Sequence, residues 1–138
     1  SHMATQLGEV PTAVRDDFFL SNMIPTVIDD DIEAARAINR RTLTGYVSLP
    51  NYRNYWRAAG YNDEMDSIEE ALNAGNKEAL TGLMTNEWLD DCTISGSASH
   101  VRERLADWAN AGVMPIAVMS STTGGQAKAI AELFETYN

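Results

Sequence analysis

Few residues in this chain could carry chemistry, and their spacing narrows the choice. Cys92 is the single cysteine, and His100 is the one histidine besides His2 near the start. A cysteine nucleophile needs a base within hydrogen-bond reach. Cys92 and His100 flank the short β-prone run 93–95 (TIS), and a strand rising about 3.3 Å per residue holds its two ends well apart. Cys92 therefore reads as a buried structural thiol and His100 as a surface residue. One histidine and one cysteine fall short of a zinc set. Asp29-Asp30-Asp31 lacks the alternating ligands and the glycine of a calcium loop, so no metal site is expected.

Two loops remain, Gly96-Ser97 and 120–125 (SSTTGG). Backbone N–H groups of such loops, at the start of a helix, can hold a phosphate. Gly96, Ser97, Gly124 and Gly125 are thus the candidate phosphate contacts of a cofactor. The competing assignment makes Ser97 and Thr123 simple helix N-caps and the glycines simple turns; the lysine of a Walker-type loop is missing. A third group is aromatic. Tyr52, Tyr55 and Trp56, interleaved with Arg53 and Arg57, could stack on a planar ring. At helical spacing they could equally be the inner stripe of a packed helix, with the arginines solvated.

The elements that must position these groups can be read from period and punctuation. Residues 93–95 form a strand stopped by Gly96; Ser97 caps a helix whose stripe is Val101, Leu105, Trp108 and Ala109, ended at Ala111-Gly112. The apolar run 113–119 reads as a strand buried on both faces. After the 120–125 loop comes a last helix, with Ala127, Ile130, Ala131 and Phe134 on one face. Strand, crossing helix and second strand make a βαβ unit with a parallel sheet. Upstream, 18–28 (FFLSNMIPTVI) is a strand, provided Pro25 sits where no ladder donor is needed. An aspartate of 29–31 caps a helix over 32–47, with Ile32, Ala35, Ile38, Leu43 and Tyr46 facing inward. Residues 48–91 carry no strand signal and read as an all-helical insert: 51–59, then a helix marked by Met65, Ile68 and Leu72, then 77–84, and a last turn at 87–90.

With 138 residues and 44% hydrophobic content, one domain with a real core is expected. Ten basic against 20 acidic residues give a net charge of −10, which repels phosphate backbones and anionic lipid, so neither nucleic acid nor a membrane is an expected partner. No apolar run nears the ~20 residues of a membrane span. Ser1-His2-Met3 looks like the scar of a cleaved tag, and 1–17 reads as scar and leader, with one helical turn near Ala13-Val14. A lone cysteine fits a reducing, cytoplasmic setting.

The run IPTVIDDDIEAARAINRRTLTGYVSLPNYRNYWRAAGY resembles luciferase-like monooxygenases, and more narrowly those using the deazaflavin coenzyme F-420. SGSASHVRERLADWANAGVMPIAV resembles their last βα crossover, though Gly-Thr-Pro-Glu-Glu is commoner there than Gly96-Ser97-Ala98-Ser99-His100. The resemblance runs from residue 18 to the end. It implies an α/β chain forming part of a (β/α)8 TIM barrel: three parallel strands, the family's six to eight, with helices and the insert 48–91. A whole barrel takes about 250 residues. Residues 18–138 would then be the C-terminal fragment of an oxidoreductase using coenzyme F-420 or FMN. The resemblance implies that such a fragment supplies phosphate contacts for a cofactor and pocket wall for a small-molecule substrate, with Ser120, Ser121, Thr122, Tyr52 and Trp56 as the substrate-pocket candidates, and that it is inactive alone. Cutting a barrel exposes two sheet edges, so a homo-oligomer is expected. The alternative is a small self-associating α/β binding module without catalysis.

Overall fold

The structure is a computed structural model and describes residues 19–138; the expected scar, leader and helical turn fall outside the described residues. The chain runs β1 (Ser21–Ile28), α1 (Ile32–Val47), α2 (Pro50–Ala58), α3 (Asn62–Asn73), a 3₁₀ helix (Lys77–Leu83), α4 (Asn86–Cys92), β2 (Ile94–Gly96), α5 (Ala98–Asn110), β3 (Met114–Ser120) and α6 (Gln126–Glu135). Asp31 begins α1: its Oδ1 accepts from the Glu33 and Ala34 N–H groups at 3.1 and 3.2 Å. Gly60 and Gly75 close α2 and α3 with φ of 106° and 72°, values that disfavour a side chain.

The three strands are parallel, and β1 lies between β2 and β3. β3 pairs with β1 from Ser21 to Val27, whereas β2 pairs only with Thr26, Val27 and Ile28. At Pro25, β1 therefore has a neighbour on one side alone, which leaves room for a residue without an N–H. Consecutive strands of a (β/α)8 barrel would stand in chain order. Here the sheet is open, and the chain reverses direction across it.

That reversal places helices on both faces. The β1–α1–β2 crossover moves one way and β2–α5–β3 the other; right-handed connections then put α1 and α5 on opposite sides. α1 covers the Ser95 face: Asn39 Nδ2 donates to Ser95 Oγ at 2.9 Å and to the Ile94 carbonyl at 3.1 Å. The other face holds a core of Ile24, Ile94, Val101, Leu105, Trp108 and Val113, with Leu133 of α6 against it. A second core joins α1 to the insert, built on Leu43, Val47, Trp56, Met65, Ile68, Leu80, Met84, Trp88 and Leu89.

Several expected faces turn out differently. β3 is not buried on both sides: it is an edge strand, and on its outer face Met114 and Ile116 are 51% and 42% exposed while Val118 lies under the helical insert. In α6 the inward residues are Ala129, Leu133 and Thr136, while Ala127, Ile130, Ala131 and Phe134 face outward. The helix carries two apolar stripes, and the sheet has room for one. Ala109 is likewise exposed, beside the buried Val101, Leu105 and Trp108. In α1 the buried line is Ala35, Asn39, Leu43 and Val47; Ile32 and Tyr46 are exposed and Ile38 is half-buried.

Candidate functional site

The loops at the C-terminal ends of the strands form one knot of hydrogen bonds. The Asp29 N–H donates to the Gly96 carbonyl at 2.9 Å, tying the ends of β1 and β2. The Asp29 carboxylate accepts from the Thr122 hydroxyl and, at 2.8 Å, from the Asp31 N–H. The Thr122 hydroxyl, followed by that N–H, holds the Asp29 carboxyl below the usual carboxylate range. Ser97 caps α5, its Oγ accepting from the His100 N–H at 3.3 Å and lying 3.0 Å from Ser99 Oγ. Ser121 Oγ donates to Glu132 Oε1 at 3.1 Å and accepts from the Thr123 N–H at 3.3 Å.

These hydroxyls are therefore engaged within the chain. Thr123 is no cap: it accepts from the Lys128 ammonium, and Gly125 caps α6 without a side-chain bond. A Cβ on Gly124 would fall 2.6 Å from Lys128 Cδ, so the glycine lets that lysine lie against the loop. Gly96 has φ of 141° and backs onto His100. Lys128, which no motif pointed to, lies against this loop and faces Glu132 Oε1 at 3.9 Å.

The aromatic candidates lie elsewhere. Tyr52 and Trp56 line a cleft of about 460 Å³ with Tyr46, Tyr55 and Tyr61, over Met23, Pro25 and Val118 of the sheet. It opens beside the part of β1 that β2 does not reach, away from Ser120, Ser121 and Thr122, which do not line it. Tyr46–Tyr52 and Trp56–Trp88 pack edge to face with centroids 5.1 and 5.0 Å apart, and Tyr52–Trp56 are tilted by 33° at 5.8 Å. Trp56 is thus both core and cleft wall.

Arg53 departs from the expected solvated position. It is buried, donating to the Val47 carbonyl at 2.8 Å and to Glu69 at 3.2 Å, while Arg57 holds Asp66 and Glu69 from the surface. The inner edge of α2 is Tyr52, Arg53 and Trp56, and Tyr55 is 43% exposed.

Cys92 and Asp91 complete the cleft wall. Burial, and then the Asp91 charge, push the Cys92 thiol well above its ordinary range. The same two causes, in the same order, raise the Tyr55 and Tyr61 phenols. A thiol so protected, with His100 exposed at the other end of β2, is not a nucleophile with a base. Asp90, one residue before, is bound instead by Arg36 in a two-pronged pair on the far side. Among the described residues no cluster of histidine, cysteine and carboxylate could hold a metal.

An open parallel sheet with crossover helices, and a pocket walled by a helical insert, defines an α/β protein. Residues 12–114 match the family model of luciferase-like monooxygenases, and the chain belongs to that family. A Mycobacterium tuberculosis (strain ATCC 25618 / H37Rv) relative, named a putative coenzyme F-420-dependent oxidoreductase, is 29% identical over 125 residues. That alignment covers 86% of this chain and 35% of the relative, so the chain spans about a third of the length of the curated protein it matches. No solved structure gives a significant match.

Proposed function

We propose that this chain supplies the C-terminal part of a luciferase-like oxidoreductase site that uses coenzyme F-420, with FMN as the other candidate. The observation that carries the reading is the family match over 12–114, joined to an alignment that takes in 86% of this chain. In this reading 18–138 represents the last three strands of the family barrel with the insert 48–91, and the cofactor's ring contacts come from elsewhere. The cofactor carries the redox chemistry, and protein groups bind it and exclude water. Gly96, Ser97, Gly124 and Gly125 are the proposed phosphate-side contacts, because the uncapped N–H groups at the start of α6 favour an anion; Lys128 lies beside them and faces Glu132 at 3.9 Å. Tyr52 and Trp56 are the proposed wall toward substrate, with Ser120, Ser121 and Thr122 at the strand ends.

Alone, the chain should bind neither cofactor tightly and should transfer no hydride. Titrating it with F-420 and with FMN, read by cofactor fluorescence, should show no saturation below the millimolar range, where binding is worth about 4 kcal/mol. Saturation in the micromolar range would contradict a partial site.

A second reading, the small self-associating α/β module, draws on the strand order. With β3 on one side of β1 and β2 on the other, the sheet is arranged as a self-contained unit with helices on both faces. A cooperative unfolding transition with no loss of structure on isolation would favour it; a molten, weakly cooperative chain would remove it.

A further inference from the structure

We propose that the aromatic cleft binds an organic cation, a substituted ammonium carrying a small apolar body, held between Asp91 and the rings of Tyr55, Trp56 and Tyr61. Aromatic faces carry negative potential and attract ammonium groups, most strongly where water is excluded. Rings of Tyr46, Tyr52, Tyr55, Trp56 and Tyr61 converge on one cavity of about 460 Å³, within the range of small-molecule sites. Among the described residues no lysine or arginine lines it, and Asp91 does. Its neighbour Asp90 is neutralised by Arg36, whereas Asp91, among the described residues, has the Tyr61 phenol as its side-chain partner and no ion pair.

The carboxylate is close enough to the cleft to act on the Tyr55, Tyr61 and Cys92 side chains together. A neutral planar ring would leave that charge uncompensated, and an anion would be repelled by it and by the chain's net charge of −10. Met23, Pro25 and Val118 give the apolar body a surface to rest on. The cleft is the one whose Tyr52 and Trp56 the proposed function turns toward substrate, so the inference names the ligand class of that wall; its test needs no cofactor, and its failure leaves the oxidoreductase reading standing.

The test titrates the chain with choline and with its uncharged carbon isostere, dimethylbutanol, by tryptophan fluorescence and calorimetry. Choline should saturate and bind at least about tenfold more tightly than the isostere, a difference of about 1.4 kcal/mol. Asp91→Asn and Tyr55→Leu should each weaken choline severalfold while leaving isostere binding and the melting temperature in place; Tyr55 is half-exposed, so its replacement is compatible with folding. Equal affinity for the two probes, or no saturation by choline in the folded chain, would overturn the proposal. So would tighter binding of a neutral flavin ring such as lumiflavin that Asp91→Asn leaves unchanged, which would make the cleft a ring site.

Discussion

Asn39 shows how much one side chain can decide. It is fully buried and bridges α1 to β2 through Ser95 Oγ and the Ile94 carbonyl, pinning α1 to the face that the crossover gives it. A buried acceptor that loses its donor costs about 1–3 kcal/mol. Asn39→Leu should therefore lower unfolding free energy by roughly that amount, measured by urea denaturation; an unchanged midpoint would mean the bridge contributes nothing. Asp29 makes a second such link, from the end of β1 to the loop after β3. Its carboxyl titrates lower in the folded chain than in the unfolded one, so its stabilising share is complete above about pH 4 and is lost as pH falls through the folded value. Asp29→Asn should flatten the acid limb of stability against pH and leave the limb above pH 7 unaltered. A wild-type acid limb in that variant would show that the Thr122 contact does not stabilise the fold.

Helix α5 begins as its sequence foretells, at a serine whose hydroxyl takes up the His100 N–H. Ser97→Ala should cost about 1 kcal/mol, seen as a lower melting temperature, with Ser97→Asp restoring it. If Ser97 also touched a phosphate, Ser97→Asp would weaken cofactor binding in the complete site while rescuing stability, which separates its two roles. Element positions were legible wherever period and punctuation agreed: α1 over Ile32–Val47, the three strands, the helical insert, the cap at Ser97. Faces were less so. The strict four-residue line Ala35, Asn39, Leu43, Val47 is the true seam of α1, yet an asparagine in it reads as an interruption, and Ile38 draws the stripe one position aside. In α6 the sequence offers two apolar stripes and no local reason to choose between them. Arg53 was illegible for the same reason: its burial depends on Val47 and Glu69, which belong to other helices.

At the scale of the whole molecule, the strand order could not be read from sequence at all. Connection lengths allow β3 to settle on either side of β1, and it takes the ladder from Ser21 to Val27 while β2 pairs only with Thr26, Val27 and Ile28. With β3 at the edge, an apolar face stays open: Met23 is 66% exposed, and Met114 and Ile116 lie beside it; Phe134, 68% exposed, adds apolar surface on α6. Edges and faces of this kind favour association. Light scattering should find a dimer or larger species, and Ile116→Lys should shift it toward monomer without unfolding; a monomeric parent chain would rule the association out. None of the described helices is long and apolar enough to cross a membrane. The most direct measurement on the proposed site is cofactor binding by a chimera, in which this chain replaces the matching 125 residues of the mycobacterial relative. With the intact relative as control, a chimera that binds F-420 within about tenfold of it, a difference of about 1.4 kcal/mol, is the result expected of a chain that completes a luciferase-like site. A folded chimera that fails to bind F-420 or FMN, beside a control that does, would contradict that assignment.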